Sequence, residues 1–178
     1  MQWLDNIKNA LFLRRQKDKI LAVGCSRQPL NWVDCHHVAV LFNASDTANL
    51  PAVFQHIRLL IGQGKNVHSL GYWQGVDLTD APTQYPVFNR RNLSFSNVPA
   101  GELVDNFSLQ IPDVLIGLYR DNIAPLDYLM ATSRAKFCAG FYSSQRLDWL
   151  DFALHTDNAD LDVSIKNLHA QLVQINFK

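Results

Sequence analysis

Three residues able to ligate a metal stand in a row at Cys35-His36-His37. They lead into an apolar run, and adjacent residues entering a strand point to opposite faces, so the three do not converge on one ion. His56, His68, His155 and His169 form no second cluster, and no metal is expected. Gly62-Gln63-Gly64-Lys65 looks like the end of a phosphate loop. Asn66 stands where that loop needs Ser or Thr, and the glycines close a helical pattern instead of opening one. Ser133-Arg134-Ala135-Lys136 has the S-x-x-K spacing of an acylating serine, but it too closes a helix, and the S-D-N and K-T-G elements are missing. Glu102 is the only glutamate, which excludes a Glu-based acid–base pair. Asp148, Asp151, Asp157, Asp160 and Asp162 read as helix caps and a solvated face.

Five other polar residues are placed differently. Asn43, Ser45 and Asp46 follow one wholly apolar run, and Asp121 and Asn122 follow another; each group precedes a helical pattern. Open α/β sheets bind ligands beyond the carboxyl ends of their strands, where the strand order reverses. Asn43, Asp46, Asp121 and Asn122 are therefore the candidate ligand-binding residues, with Arg120 as a nearby compensating cation. The first turn, residues 43–47, has no glycine to admit a pyrophosphate, so neither NAD nor FAD nor any other cofactor is expected.

The elements that must position these groups follow from periodicity. Trp3, Leu4, Ile7, Ala10 and Leu11 recur at helical spacing, which predicts a basic amphipathic helix over 1–19, separate from one α/β domain over 20–178. Val38 to Phe42 is apolar without alternation, as in a strand buried on both faces. Asp46 or Thr47 can cap the next helix, whose stripe is Leu50, Val53, Phe54, Ile57, Leu60 and Ile61. Further strands are expected at Val67–Trp73, Leu93–Ser96, Asp113–Tyr119, Lys136–Tyr142 and Trp149–Leu154, with a long loop over 74–92. Helices are expected from Gly101 to Leu109, from a cap at Asp121 or Asn122 to Ala135, and from a cap at Asp160 along the stripe Leu161, Ile165, Leu168, Leu172 and Ile175. Alternating strands and helices predict a three-layer, doubly wound, Rossmann-like or flavodoxin-like sheet, mostly parallel, in the order 3-2-1-4-5-6. The short link over 143–148 predicts an antiparallel last strand.

The 178 residues suit one such domain. With 48% hydrophobic and 18% charged residues, the composition excludes disorder, collagen and coiled coil. Sixteen Lys and Arg balance sixteen Asp and Glu, so no net field draws the chain to nucleic acid, and none is expected as a partner. Three cysteines leave no disulfide framework and fit a reducing cytoplasm. No secretory apolar segment opens the chain, and no stretch nears the length of a membrane span.

Several segments together resemble an uncharacterised bacterial protein family, a domain of unknown function. They are the basic KNALFLRRQKDK, the strand-like VAVLF and VHSLGYW, then FNRRNLSFSNVPAGELVDNF, DVLIGLY, PLDYLMATSRAKFCAGFY and a terminal LVQIN. The resemblance implies the α/β fold and a bacterial cytoplasmic setting, and it carries no reaction and no site residue.

Two functions fit these residues. The favoured one is a non-catalytic interaction module that self-associates, or contacts a protein partner or a membrane surface, through the helix over 1–19; no nucleophile–base pair assembles from the sequence. The alternative is a small-ligand-binding domain or enzyme that uses the crevice. An open crevice with converging polar groups favours the second; a filled crevice with an exposed apolar patch favours the first.

Overall fold

Val38, Val40 and Phe42 are buried on one face of strand β1 (His37–Asn43), and Ala39 and Leu41 are buried on the other. That double burial makes β1 a central strand. The computed structural model describes residues 27–175, and the helix expected over 1–19 lies outside them. Among the described residues the chain continues as α1 (Leu50–Gly62), β2 (Asn66–Trp73), β3 (Val87–Asn89), α2 (Glu102–Ser108) and β4 (Val114–Leu118). It ends with α3 (Ala124–Ala131), β5 (Phe137–Phe141), β6 (Phe152–Leu154) and α4 (Leu161–Gln174). The six strands form one sheet in the order β3-β2-β1-β4-β5-β6, with every neighbouring pair parallel.

Leu50, Val53, Ile57 and Leu60 of α1 and Leu161, Ile165, Leu168 and Leu172 of α4 cover the face of Val38, Val40 and Phe42. Val104 of α2 and Leu126, Leu129 and Met130 of α3 cover the face of Ala39 and Leu41. Pro51 sits in the first turn of α1, where a missing N–H costs nothing, and Gly64 ends it at φ +79°, a conformation glycine adopts freely. Asp160 caps α4 as expected, accepting from the N–H of Asp162 at 2.8 Å.

Five expectations need correcting. The last strand runs parallel to β5, because β5 ends at Phe141 and β6 begins only at Phe152. The connection over 142–151 crosses over without a helix, folded around the buried side chain of Arg146 and packing Trp149 and Leu150 on the α3 face. The third strand is Val87–Asn89, inside the expected loop, and not Leu93–Ser96. Leu93 makes only a single bridge to Pro99 around a tight turn in which Asn97 adopts φ +58°. Neither Asp46 nor Thr47 caps α1, whose N-cap is Asn49. Neither Asp121 nor Asn122 caps α3, which starts after Ile123. Ile61 lies off the buried stripe of α1 and is 52% exposed.

At the amino ends of the central strands, Asp113 ties three segments together. Its carboxylate accepts from the backbone N–H of His36 and His37, each at 2.9 Å, and from Lys136 Nζ at 2.7 Å. Burial alone would raise its pKa, but these donors outweigh it and hold the carboxyl at about 2. The folded pKa is depressed, so the stabilisation is complete above about pH 4 and is lost as pH falls toward 2. With the site partly exposed to solvent, Asp113→Asn should cost about 1–2 kcal/mol in urea unfolding at pH 7 and remove stability loss from that acid window. An unchanged acid limb in the variant would contradict this.

Candidate functional site

The strand order reverses between β1 and β4, and the register sets Phe42 beside Leu118 at their carboxyl ends. Beyond them lies a cavity of about 250 Å³. Asn43, Asp46 and Asn49 line it from the β1 side, and Tyr119, Arg120 and Asp121 from the β4 side. Val53 and Leu161 close its base from the first turns of α1 and α4. Three of the four residues expected from the sequence thus meet at this cavity. Asn122 does not line it; its side-chain oxygen accepts from Ser143 Oγ at 2.8 Å. Ser45 is also engaged elsewhere, its hydroxyl accepting from the N–H of Gln74 at 2.7 Å.

The polar groups in the cavity differ in how far they are already satisfied. Asn43 accepts from the N–H of Ser45 at 3.0 Å, and Asp46 accepts from the Asn49 side chain at 2.8 Å. The Asp121 carboxylate, on an exposed residue, makes no hydrogen bond or ion pair among the described residues. Arg120 turns its guanidinium to α4, donating to the carbonyls of Ala159 and Asp160, each at 2.9 Å, and to Ser164 Oγ. Its cation also stacks over the Phe141 ring at 5.7 Å. Acceptors therefore dominate the open part of the cavity. The start of α1 offers little to an anion, because Pro51 lacks an N–H.

A second arginine braces the same loop from the opposite face of the sheet. Arg146 is 2% exposed and pairs with Asp127 of α3 at 2.8 Å. Its other nitrogens donate to the carbonyl of Tyr119 at 3.2 Å and to that of Asp121. Its guanidinium lies 4.5 Å from the centre of the Tyr119 ring, and the Tyr119 hydroxyl donates to Asp127 at 3.1 Å. Burial, then the Asp127 charge, pushes the Tyr119 hydroxyl well above its ordinary pKa, so it stays protonated and remains the donor. Burial pushes the Asp127 carboxyl up, against the pull of Arg146 and of the Tyr119 hydroxyl. The loop over 119–121 is thus held by one arginine reaching to α4 and by another reaching up from beneath. Such preorganisation gives a shallow loop a fixed geometry.

The other sequence candidates disperse. Cys35 is buried while His36 and His37 are exposed. Burial raises the Cys35 thiol to about 11, leaving it inert. Lys65 points away from any phosphate role, its Nζ donating to the carbonyls of Trp32 at 2.9 Å and Cys35 at 2.5 Å. Lys136 is spent on Asp113. Among the acidic residues near the C-terminus, Asp151 accepts from the N–H of Cys138 at 2.7 Å, and Asp162 pairs with Lys166. Sequence reasoning missed Asp127 and Arg146. One signal was available: Asp127 is the lone charge in a helix whose residues from Pro125 to Ala131 are all buried, and a buried charge demands a partner.

Residues 8–175 match a protein family described as a family of unknown function (DUF6913). No curated protein matches the chain. Among the described residues no helix is long and apolar enough to cross a membrane.

Proposed function

The chain belongs to the family DUF6913, and from the geometry of its crevice we propose that it is a cytoplasmic domain binding a small polar ligand. One observation carries the reading: Asp121, whose carboxylate is unpaired among the described residues, lines one open cavity together with Asp46, Asn43 and Asn49, and the β4 loop of that cavity is braced through Arg120 and Arg146. The Asp121 carboxylate does not cap a helix, so capping does not account for its position. The buried Arg146–Asp127 pair is expensive to desolvate, and its hydrogen bonds go to the carbonyls of the cavity loop. The buried thiol of Cys35 fits a reducing compartment.

The acceptor-rich lining selects ligands rich in donors. A polyol or a small amine can donate to Asp46 and Asp121 at once, whereas a phosphate meets two carboxylates and a helix start without its full set of N–H groups. The volume suits a molecule of monosaccharide size. Among the described residues that line the cavity there is no serine, cysteine, histidine or lysine, and the polar groups present suit binding through hydrogen bonds. The all-parallel sheet, with its order reversing between β1 and β4, supports the choice of crevice by analogy with open α/β sheets.

A thermal-shift panel of polyols, amines, nucleotides and sugar phosphates tests the proposal. A polyol or amine at 100 times its Kd should stabilise the protein by about 2.7 kcal/mol. Asp121→Asn and Asp46→Asn should each change unliganded stability by less than about 1 kcal/mol and weaken binding by about 10- to 100-fold. A ligand indifferent to both substitutions, or stabilisation by phosphates alone, would refute the reading.

A further inference from the structure

β2 pairs with β1 along its length, but β3 covers only Gly71, Tyr72 and Trp73. Among the described residues the amino half, Asn66–Leu70, is an open sheet edge. The N–H of Gly71 donates outward to Pro86, and that of Asn66 donates inward to His36. Main-chain groups alternate along a strand, so those of Val67 and Ser69 point outward, and among the described residues no strand meets them. An apolar groove of about 310 Å³ runs beside them, between Ile61 of α1 and Leu103 and Phe107 of α2. Ile61 is 52% and Leu103 39% exposed.

Proteins commonly guard sheet edges with charge or by keeping edge strands short. β3 has three residues and is followed by the exposed Arg90 and Arg91, and β6 has three residues and lies between the exposed Asp148 and Asp157. The open half of β2 has neither device. Among the described residues no Lys, Arg, Asp or Glu lines its groove, and the adjacent Lys65 is turned inward to the carbonyls of Trp32 and Cys35.

We infer that this edge is a homodimer interface, in which β2 pairs antiparallel with β2 of a second copy about a two-fold axis centred on His68. An uncharged strip is complementary to itself, and the chain's net charge of zero puts up no long-range repulsion between copies. A symmetric pairing needs no other sequence, and two-fold dimers are the commonest oligomers. Val67 then exchanges both main-chain hydrogen bonds with Ser69 of the partner subunit. His68 faces His68 of the partner subunit in the close, non-bonded pair, at a Cα separation of about 4.5 Å. The two apolar grooves close over each other. The interface lies at the amino half of β2, so the crevice at the carboxyl ends stays open.

Sedimentation velocity on the full chain, at micromolar to submillimolar concentration, tests this. The wild type should be dimeric. His68→Glu sets like charges opposite each other and should weaken the dimer at least tenfold. Ser69→Pro removes an outward N–H that β1 does not use and should do the same. His68→Cys in a Cys25→Ser background should cross-link between copies under mild oxidation, since the expected Cα separation falls within disulfide range. Circular dichroism and melting of His68→Glu should match a folded monomer. A wild type that stays monomeric overturns the inference. So does a dimer that ignores His68→Glu and fails to cross-link, or one that deletion of residues 1–19 alone dissolves.

Discussion

Replacing Arg146 with methionine should lower the unfolding free energy by about 3–5 kcal/mol, because Asp127 is left as an uncompensated buried charge. The carbonyls of Tyr119 and Asp121 lose their donor in the same step. A double variant, Asp127→Leu with Arg146→Met, removes both charges and should recover most of that loss. It should not recover ligand affinity, because the loop over 119–121 has lost its brace from beneath. Equilibrium urea unfolding of the two singles and the double gives the cycle. If the Arg146 single costs less than about 1 kcal/mol, the pair is a solvated contact and the bracing role fails.

The second large effect is a loss of stability on mild acidification. His56 is 6% exposed on the buried face of α1, its ring 5.1 Å from that of His169, which in turn packs edge-on to Trp32 at 5.3 Å. Burial, and then the neighbouring His169, lowers the His56 pKa from 6.5 to about 4. Burial and Lys65 lower that of His169 as well. Between pH 6.5 and 4 the unfolded chain binds a proton at His56 that the folded chain refuses. Stability is therefore complete above pH 6.5 and falls as pH drops through this window, by about 2 kcal/mol at pH 5 from His56 alone. Urea midpoints at pH 7 and pH 5 measure it, and His56→Leu should flatten the difference. A midpoint that does not move between the two pH values, or moves equally in the variant, would contradict the assignment.

What was readable from the sequence follows from where the physics is local. Val38–Phe42 and Val114–Leu118 are apolar without alternation, so they had to be central, and the strand order came with them. Asn43, Asp46 and Asp121 were readable because polar residues directly after buried strands have only the carboxyl edge of the sheet to occupy. β3 was not, since three residues carry no period. The direction of β6 was not readable either. Its crossover depends on burying Arg146, and that burial depends on Asp127, nineteen positions away in the chain on a different element. The role of Asp121 was misjudged for a similar reason. α3 starts at Ala124 behind the buried Ile123, which frees Asp121 from capping.

The most direct test of the crevice is a two-dimensional amide NMR titration with the best polyol or amine from the panel, using the full chain. The account predicts shifts that saturate and cluster at residues 43–49 and 118–122, with little change around the open edge of β2. Shifts confined to other surfaces, or none at millimolar ligand, would contradict it.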